Sequence, residues 1–304
     1  MFVVKHRKIF YILSLLITGV SLVSILVFGL RFGIDFKGGS LIEVKYQETR
    51  PDIALLKSKM TGEDFMGYSI RPTGENGFIL RAPYLDEITH SEALKILSGD
   101  GASPMTEERF NSIGPTIGQE LRTKALLAIA LVIISIVLFI AFVFRKVSEP
   151  VASWKYGLIA IIALLHDVVV PTGAFAVFGY LFGTEIDSLF VTALLVILGF
   201  SIHDTIVVFD RVRENLRVNK EFNKKETFED TVGKSVSQTF NRSINTSLTT
   251  VLSLTALYFL GSVATKDFSL ALIIGIIAGT YSSIFLASPL LVTVEKLQTK
   301  KGKA

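Results

Sequence analysis

The chain has 304 residues, of which 50% are hydrophobic and only 19% are charged, and its mean hydropathy is +0.53. A soluble globular protein of this composition would expose large apolar patches, and the same figures exclude a disordered chain. Cysteine is absent, which excludes disulfides and thiolate metal sites. The formal net charge of +4 is small, and we expect no nucleic-acid partner. The composition is that of a polytopic membrane protein.

Six apolar runs reach, or nearly reach, the about 20 helical residues that cross the ~30 Å hydrocarbon core of a bilayer. We therefore predict an α-helical membrane protein with transmembrane spans at 9–30, 124–144, 156–182, 188–210, 244–263 and 268–294. The remaining segments are an N-terminus at 1–8, a long polar segment at 31–123, a basic loop at 211–243 and a tail at 295–304.

The first apolar run follows Lys5, Arg7 and Lys8, as the core of a signal peptide would. Its apolar stretch of about 20 residues exceeds the roughly 7–15 of a signal peptide, and no small-residue cleavage site follows it. We therefore predict an uncleaved first helix.

Lysine and arginine are distributed unequally between the two ends of the spans. They cluster in the N-terminus, in the basic loop, in the tail and at 145–146 between the second and third spans. The loop 183–187 has none, and 261–267 has a single lysine. By the positive-inside rule, both termini then face the cytoplasm and the long polar segment is periplasmic. We predict a multi-pass protein of the bacterial inner, or plasma, membrane.

The long polar segment shows alternating strand and helix patterns, separated by turn residues such as the sequence PTGENG. Their order, β, α, β, β, α, β, predicts an α+β domain of the ferredoxin-like type between the first and second spans. The predicted strands are 40–47, 66–71, 77–82 and 108–113, and the predicted helices begin after Pro51 and cover 88–97.

Ionisable residues inside the apolar runs carry the functional signal, because a charge at the bilayer centre costs at least ~2.5–3.5 kcal/mol. Asp204 lies well inside the fourth run. We predict that its carboxyl group faces the bundle interior and takes up and releases a proton. The alternative is a permanently neutral or paired carboxyl that only joins helices, although Asn or Ser would do so at lower cost.

Two residues of the same run are further candidates for a proton path. His203, the neighbour of Asp204, could relay a proton or could be a neutral side chain bonded to another helix. Asp210 lies seven residues after His203, at the cytoplasmic end of the helix. It could admit protons, or it could belong to a set of interfacial charges that only anchor the helix.

Asp167 follows His166 near the middle of the third run, and Pro171 removes one backbone hydrogen bond nearby. We consider Asp167 a candidate for a second buried titratable site. The alternative is a buried His–Asp pair that fixes helix packing.

Arg242 opens the fifth run and begins a polar stripe at 3- and 4-residue spacings, which must face protein or a water-filled cavity. Arg242 could hold Asp204 ionised in one conformation and release it in another, or it could anchor the helix at the interface. The other members of the stripe are Asn245, Thr246, Thr249 and Ser253.

The sequence contains none of the motifs GxxxxGK[ST], HExxH or GxSxG. The glycine-rich sequence GIDFKGGS at 33–40 lacks phosphate-loop spacing and is predicted to form a tight turn beside the membrane. We therefore predict no enzyme activity, no metal and no cofactor, and we do not expect ATP to be the energy source. No substrate-binding residue is identified.

The chain resembles the SecF family, whose members are subunits of the bacterial SecDF protein-export complex within the RND transporter superfamily. The resemblance covers essentially the whole chain. The matching segments are GIDFKGGS at 33–40, GFSIHDTIVVFDRVREN at 199–215 and NRSINTSLTT at 241–250, with similar sequences at 110–125 and 163–175.

The resemblance implies a heteromer with SecD that works beside the SecYEG channel, often with YidC. It also implies use of the proton motive force to draw unfolded preproteins across the membrane, in contact with lipid. Asp204 matches the family's intramembrane acid, and Arg242 matches the basic residue of its fifth helix. His203 stands where the family more usually has Asn.

Two other functions remain as alternatives. An RND-type proton-coupled exporter of lipids or small molecules would usually have two large external loops, whereas this chain has one. A passive scaffold of the translocon would tolerate neutral replacement of Asp204 and Arg242.

Overall fold

The computed structural model describes residues 2–60, 67–143 and 151–301. Arg145 and Lys146, the start of the predicted hairpin at 66 and the end of the tail lie outside the described residues. The chain divides into two compact units, a helical unit of Met1–Arg31 with Leu127–Ala304 and a sheet unit of Phe32–Leu126.

The elements follow one another in a mostly helical order. In chain order they are α1 (Phe2–Lys5), α2 (Arg7–Phe28), α3 (Ile34–Lys37), β1 (Gly39–Tyr46), α4 (Ile53–Lys59), β2 (Ser69–Thr73), β3 (Gly77–Ala82), α5 (Glu87–Leu97), β4 (Met105–Ile113), α6 (Pro115–Val143), α7 (Ser153–Phe182), α8 (Ser188–Glu221), α9 (Phe228–Leu260), α10 (Val263–Tyr281), a π-helical segment (Ser282–Ala287) and α11 (Ser288–Lys301).

Within the described residues, six helices are long and apolar enough to cross a membrane. They are α2, α6, α7, α8, α9 and the continuous helix of α10, the π segment and α11. The six spans and the α+β segment between the first two are therefore confirmed. In the helical unit α2 packs along α7, and α10 packs on α7, α8 and α9.

The segment 211–243 is not a loop, contrary to the prediction. α8 continues to Glu221 and α9 begins at Phe228, so only 222–227 connects them. Polar side chains join the two extensions: the Asn215 amide donates to Ser235 Oγ at 2.8 Å, and the Asn219 amide donates to Thr231 Oγ1 at 3.0 Å. Hydropathy detects only the part of a helix that faces lipid. The sequence analysis therefore placed the end of α8 too early and the start of α9 too late.

The sixth span contains a π-helical segment that the sequence analysis did not predict. Single π turns inside α-helices are often found at functional sites. Ser288 Oγ donates to the carbonyl oxygen of Ser283 at 2.7 Å. Pro289 follows and has no backbone N–H to donate, which favours irregular hydrogen bonding in the preceding turn.

Two glycines of α10 bring this helix close to α8. A Cβ atom on Gly275 would overlap the Ile197 side chain, and one on Gly279 would lie 2.9 Å from Ser201 Cβ. The spacing of four residues puts both glycines on one helix face, where they permit close helix approach.

Helix α1 and the first residue of α2 are attached to the helical bundle near α11. Val4 is buried in a cluster with valines of α8 and α9. The Arg7 guanidinium donates to Glu229 Oε1 at 2.7 Å, and Lys296 bonds to the other oxygen of the same carboxylate. These bonds join α2, α9 and α11.

The sheet unit is a four-stranded antiparallel sheet in the order β2-β3-β1-β4, with α4 and α5 in its connections. The predicted order of strands and helices is observed, with β4 three residues longer than predicted at its start. The core includes Ile42, Val44, Leu80 and Leu97. Tyr46 donates to the carbonyl oxygen of Leu97 at 2.9 Å, and burial raises the pKa of its hydroxyl to about 12.

The glycine-rich sequence at 33–40 is more structured than the predicted turn. It contains the short helix α3 and the first residues of β1. Gly38 follows α3 and Gly39 is the first residue of β1. These are the two glycines of the sequence 33–40 that have positive φ.

Candidate functional site

Asp204 lies on the buried face of α8, with 4% of its surface exposed. Ser243 Oγ of α9 donates to its Oδ1 at 3.1 Å. Its Oδ2 is buried and has no hydrogen-bond partner among the described residues. An unsatisfied buried acceptor is costly, and binding of a proton turns that oxygen into a donor. The carboxyl group is thus held at one oxygen and left free at the other.

Arg242 and His203 are adjacent in sequence to this pair but do not contact it. Both side chains are exposed in this chain, because Arg242 and His203 point away from the α8–α9 contact. In the described part of the chain, no ion pair within 4.0 Å joins Arg242 to Asp204.

Asp167 is the second buried acid and is 0% exposed. His166 Nδ1 lies 2.9 Å from its Oδ1, and Ser282 Oγ donates to its Oδ2 at 2.8 Å. Ser201 Oγ of α8 also donates to Oδ2. One carboxyl group therefore connects α7, α8 and the first residue of the π segment.

Hydroxyl groups connect the surroundings of the two acids. Thr205, the neighbour of Asp204, bonds through Oγ1 to Ser283 Oγ at 2.8 Å. Ser283 Oγ is also 3.3 Å from the carbonyl oxygen of Ser201, the residue that donates to Asp167. The π segment thus contacts α8 at the turn between the two sites.

Asp210 lies apart from the buried acids. It is exposed and forms an ion pair with Arg213 at 2.9 Å, one turn further along α8. The structure thus brings together neither Asp210 and His203 nor Arg242 and Asp204. Asp204 and Asp167 share no hydrogen-bond partner among the described residues, but Ser283 contacts Thr205 beside Asp204 and Ser201 beside Asp167.

The sequence analysis missed the hydroxyl partners of both acids. Neither Ser243, which donates to Asp204, nor Ser201, which donates to Asp167, was among the predicted site residues. The consecutive serines 282 and 283 in an apolar run were the available signal. In the described ranges no group of three or more His, Cys, Asp or Glu side chains could hold a metal ion.

Six apolar spans with two carboxyl groups enclosed between them define a polytopic helical membrane protein with intramembrane titratable groups. Residues 95–297 match the family described as "Protein export membrane protein SecD/SecF, C-terminal", and residues 23–49 match the "SecD/SecF GG Motif". The chain belongs to the SecD/SecF family of protein export membrane proteins, in its SecF branch, and is a multi-pass protein of the inner membrane.

Several relatives are similar over nearly the full chain. The protein translocase subunit SecF of Thermobaculum terrenum is 44% identical over 304 residues, which cover 96% of this chain and 93% of that protein. SecF of Anaerolinea thermophila is 36% identical, with 96% and 94% covered.

Solved SecDF structures share the fold. The crystal structure of SecDF from Thermus thermophilus, described as a translocon-associated membrane protein, has a TM-score of 0.81 and 30% identity over 96% of this chain. A super-membrane-facing form of SecDF has a TM-score of 0.65 at 31% identity. This chain spans 38% of the first of those SecDF chains and 39% of the second.

Proposed function

We propose that this chain is the SecF half of a SecDF complex that uses the proton motive force to complete Sec-dependent export of preproteins. The SecF relatives cover nearly the whole chain, and the SecDF chains are more than twice as long. A SecD subunit would therefore supply the other half. The chain acts as a transport subunit and not as an enzyme, with protons as its only coupling ion.

The buried carboxyl group of Asp204 carries this proposal. It is almost fully buried, one oxygen accepts from Ser243, and the other has no partner among the described residues. Uptake of a proton removes a charge from a medium of low dielectric constant, so the most stable packing of α8 against α9 differs between the two forms. Each proton that crosses 100 mV supplies about 2.3 kcal/mol, enough to shift a two-state equilibrium roughly fiftyfold.

The other predicted relay residues take supporting roles. Arg242 reaches Asp204 in the alternate conformation and stabilises its ionised form. His203 and Asp210 lead protons from the cytoplasmic end of α8, and Asp167 is a second titratable site. The positive-inside distribution of lysine and arginine supports cytoplasmic termini and a periplasmic sheet unit.

The partners follow from the same assignment. The complex works beside the SecYEG channel and with YidC, its substrate is an unfolded preprotein, and its apolar helix faces contact membrane lipid. The periplasmic sheet unit moves with the helices and alternately holds and releases the exported chain.

The test is the isosteric change Asp204→Asn in the complex with SecD, reconstituted into vesicles with the translocon. We expect normal insertion and assembly, loss of proton flux and loss of gradient-dependent export, because an amide cannot exchange a proton at this position. The matched control is Glu221→Gln, since Glu221 is an exposed carboxylate of the same helix that only pairs with Arg217. The control is expected to behave as wild type.

The two other functions make different predictions for these variants. Wild-type export in Asp204→Asn would contradict the proton role and favour a passive scaffold. Gradient-dependent release of lipid or a small molecule, with export unchanged, would favour an exporter.

A further inference from the structure

The glycine pair of the "SecD/SecF GG Motif" has a conformation and surroundings that only glycine allows. Gly38 and Gly39 have φ of +77° and +125°, which L side chains rarely adopt. A Cβ atom on Gly38 would lie 2.7 Å from the Cα atom of Pro115, and one on Gly39 would lie 2.8 Å from the carbonyl oxygen of Ala82. The pair is thus enclosed by backbone atoms, between the first residue of α6 and the last residue of β3.

The residue of α6 that faces this glycine pair is also a glycine. A Cβ atom on Gly118, in the first turn of α6, would lie 2.7 Å from the backbone nitrogen of Gly38 and 3.3 Å from the carbonyl carbon of Lys37. One turn later, the Arg122 guanidinium lies 4.9 Å from the centre of the Phe32 ring. Helix and turn therefore touch backbone to backbone, where no side chain can rearrange to make room.

The sheet is connected to the same helix end. β4 pairs with β1 up to the pair Ile113 and Gly39, and a single residue, Gly114, separates β4 from α6. Beside this pair, Ser40 Oγ lies 2.8 Å from the backbone nitrogen of Leu85, which donates to it, and 2.7 Å from Ser112 Oγ. The direction in which α6 leaves the sheet is fixed by strand pairing on one side and by the glycine contact on the other.

The rest of α6 is the span with the least packing against described residues of this chain. Ile140, near its end, is its buried member of the helical core. Large apolar side chains are exposed along its length: Leu126, Leu127, Leu131, Ile134, Leu138, Phe139 and Phe142. One face of α6 packs on that core through Ile140 and the partly buried side chains of Val132, Ile133, Ile136 and Val143. Of the six spans α6 has the smallest buried share among the described residues, so fewer dispersion contacts oppose a tilt of α6 than of the other spans.

We propose that Gly38, Gly39 and Gly118 form a rigid joint that makes the sheet unit follow every tilt of α6. The three glycines are positioning residues, which touch neither the proton nor the exported chain. The inference rests on the proposed function, because it assigns the path by which helix movement in the membrane becomes movement of the sheet unit.

The test compares Gly118→Ala with Gly114→Ala in the complex with SecD, in vesicles where proton flux and export are measured on the same preparation. A Cβ atom on Gly114 meets nothing within 4 Å, so this neighbouring glycine is the matched control. We expect Gly118→Ala to keep wild-type proton flux and to lose about tenfold of gradient-dependent export, since overpacking a closed contact forces the backbone apart. Gly114→Ala should keep both activities.

Two results would contradict the proposed joint. The first is export by Gly118→Ala at the level of Gly114→Ala. The second is a loss of proton flux together with export in Gly118→Ala. If the proposed function itself were wrong, the wild-type complex would already show no gradient-dependent export, which distinguishes the two cases.

A second measurement remains decisive if Gly118→Ala does not assemble. The chain has no cysteine, so Lys45→Cys in β1 and Thr123→Cys in α6 can carry two spin labels on exposed positions. We expect one narrow distance distribution in the otherwise wild-type complex, unchanged when the proton gradient is applied. A broad or two-peaked distribution would mean that α6 moves against the sheet, and the joint would be wrong.

Discussion

At the scale of single residues, the two buried acids differ in the number of groups that hold them. Asp167 has three polar partners, His166, Ser201 and Ser282, whereas Asp204 has Ser243 at one oxygen. Asp167 therefore joins three elements, and Asp204 is held on one side only. Replacing the carboxyl group by an amide, which has one acceptor oxygen instead of two, therefore has a different consequence at each site.

Asp167→Asn is expected to lower the stability of the protein. An amide has one acceptor oxygen, so an NH2 group replaces one of the two oxygens that the carboxyl group offers to His166, Ser201 and Ser282. The bonds made to that oxygen are lost or must be rearranged, at a cost of about 1–3 kcal/mol. The measurement is thermal unfolding of the purified complex in detergent. Asp204→Asn is the comparison, since its unpartnered oxygen loses no bond, and it should leave the midpoint unchanged. An equal fall in both variants would contradict the distinction.

The sequence revealed the acids but not their partners, for a physical reason. A carboxyl group in an apolar run is costly and therefore conspicuous. Serine hydroxyls bond to their own helix backbone, as Ser247 does to the carbonyl oxygen of Ser243 at 2.9 Å, and so cost little inside a membrane helix. Ser243 and Ser201 become recognisable only when helix packing shows what they face.

At the scale of helices and strands, hydropathy predicted the elements that lipid or the core requires. The six spans and the order of strands and helices along the chain follow from apolar length and alternation. The polar extensions of α8 and α9 were missed because they pack on each other through Asn215 and Asn219 rather than on lipid. The π segment was missed because Pro289 alone indicates only an irregular turn, and the contacts of the segment with Asp167 and α8 are not encoded in a local pattern.

The close contact of α10 with α8 gives a prediction about helix packing. Gly275→Ala should lower the thermal unfolding midpoint, because its Cβ atom would overlap the buried Ile197 side chain and overpacking costs about 1–3 kcal/mol. Ile197→Val removes the Cδ1 atom nearest to that Cβ, so the double variant should recover part of the loss. Gly199→Ala, with nothing within 4 Å, is the control and should not be destabilised.

A double variant as unstable as the sum of both single variants would contradict this account. The two positions would then be energetically independent, whereas residues in contact are expected to show a coupling energy.

At the scale of the whole molecule, α9 presents polar side chains that the described residues of this chain do not cover. Arg242, Asn245, Thr246 and Thr249 are exposed, although α9 is one of the six apolar spans. Backbone and side-chain polar groups in a bilayer must be satisfied within protein or by water. We expect the proposed SecD partner to cover this face, since a solved SecDF chain is more than twice as long as this one.

If SecD covers this face of α9, a single cysteine introduced there should be protected from labelling in the complex. Asn245→Cys should react with a membrane-permeant maleimide in the chain purified alone, and the reaction should slow several-fold in the complex with SecD. The chain has no native cysteine, so the label reports one position. Ile244→Cys, an exposed apolar position about 100° around the same helix and away from the polar face, is the control and should react equally in both preparations. Equal rates for Asn245→Cys would mean that the polar face lines a water-filled path and is not an interface between subunits.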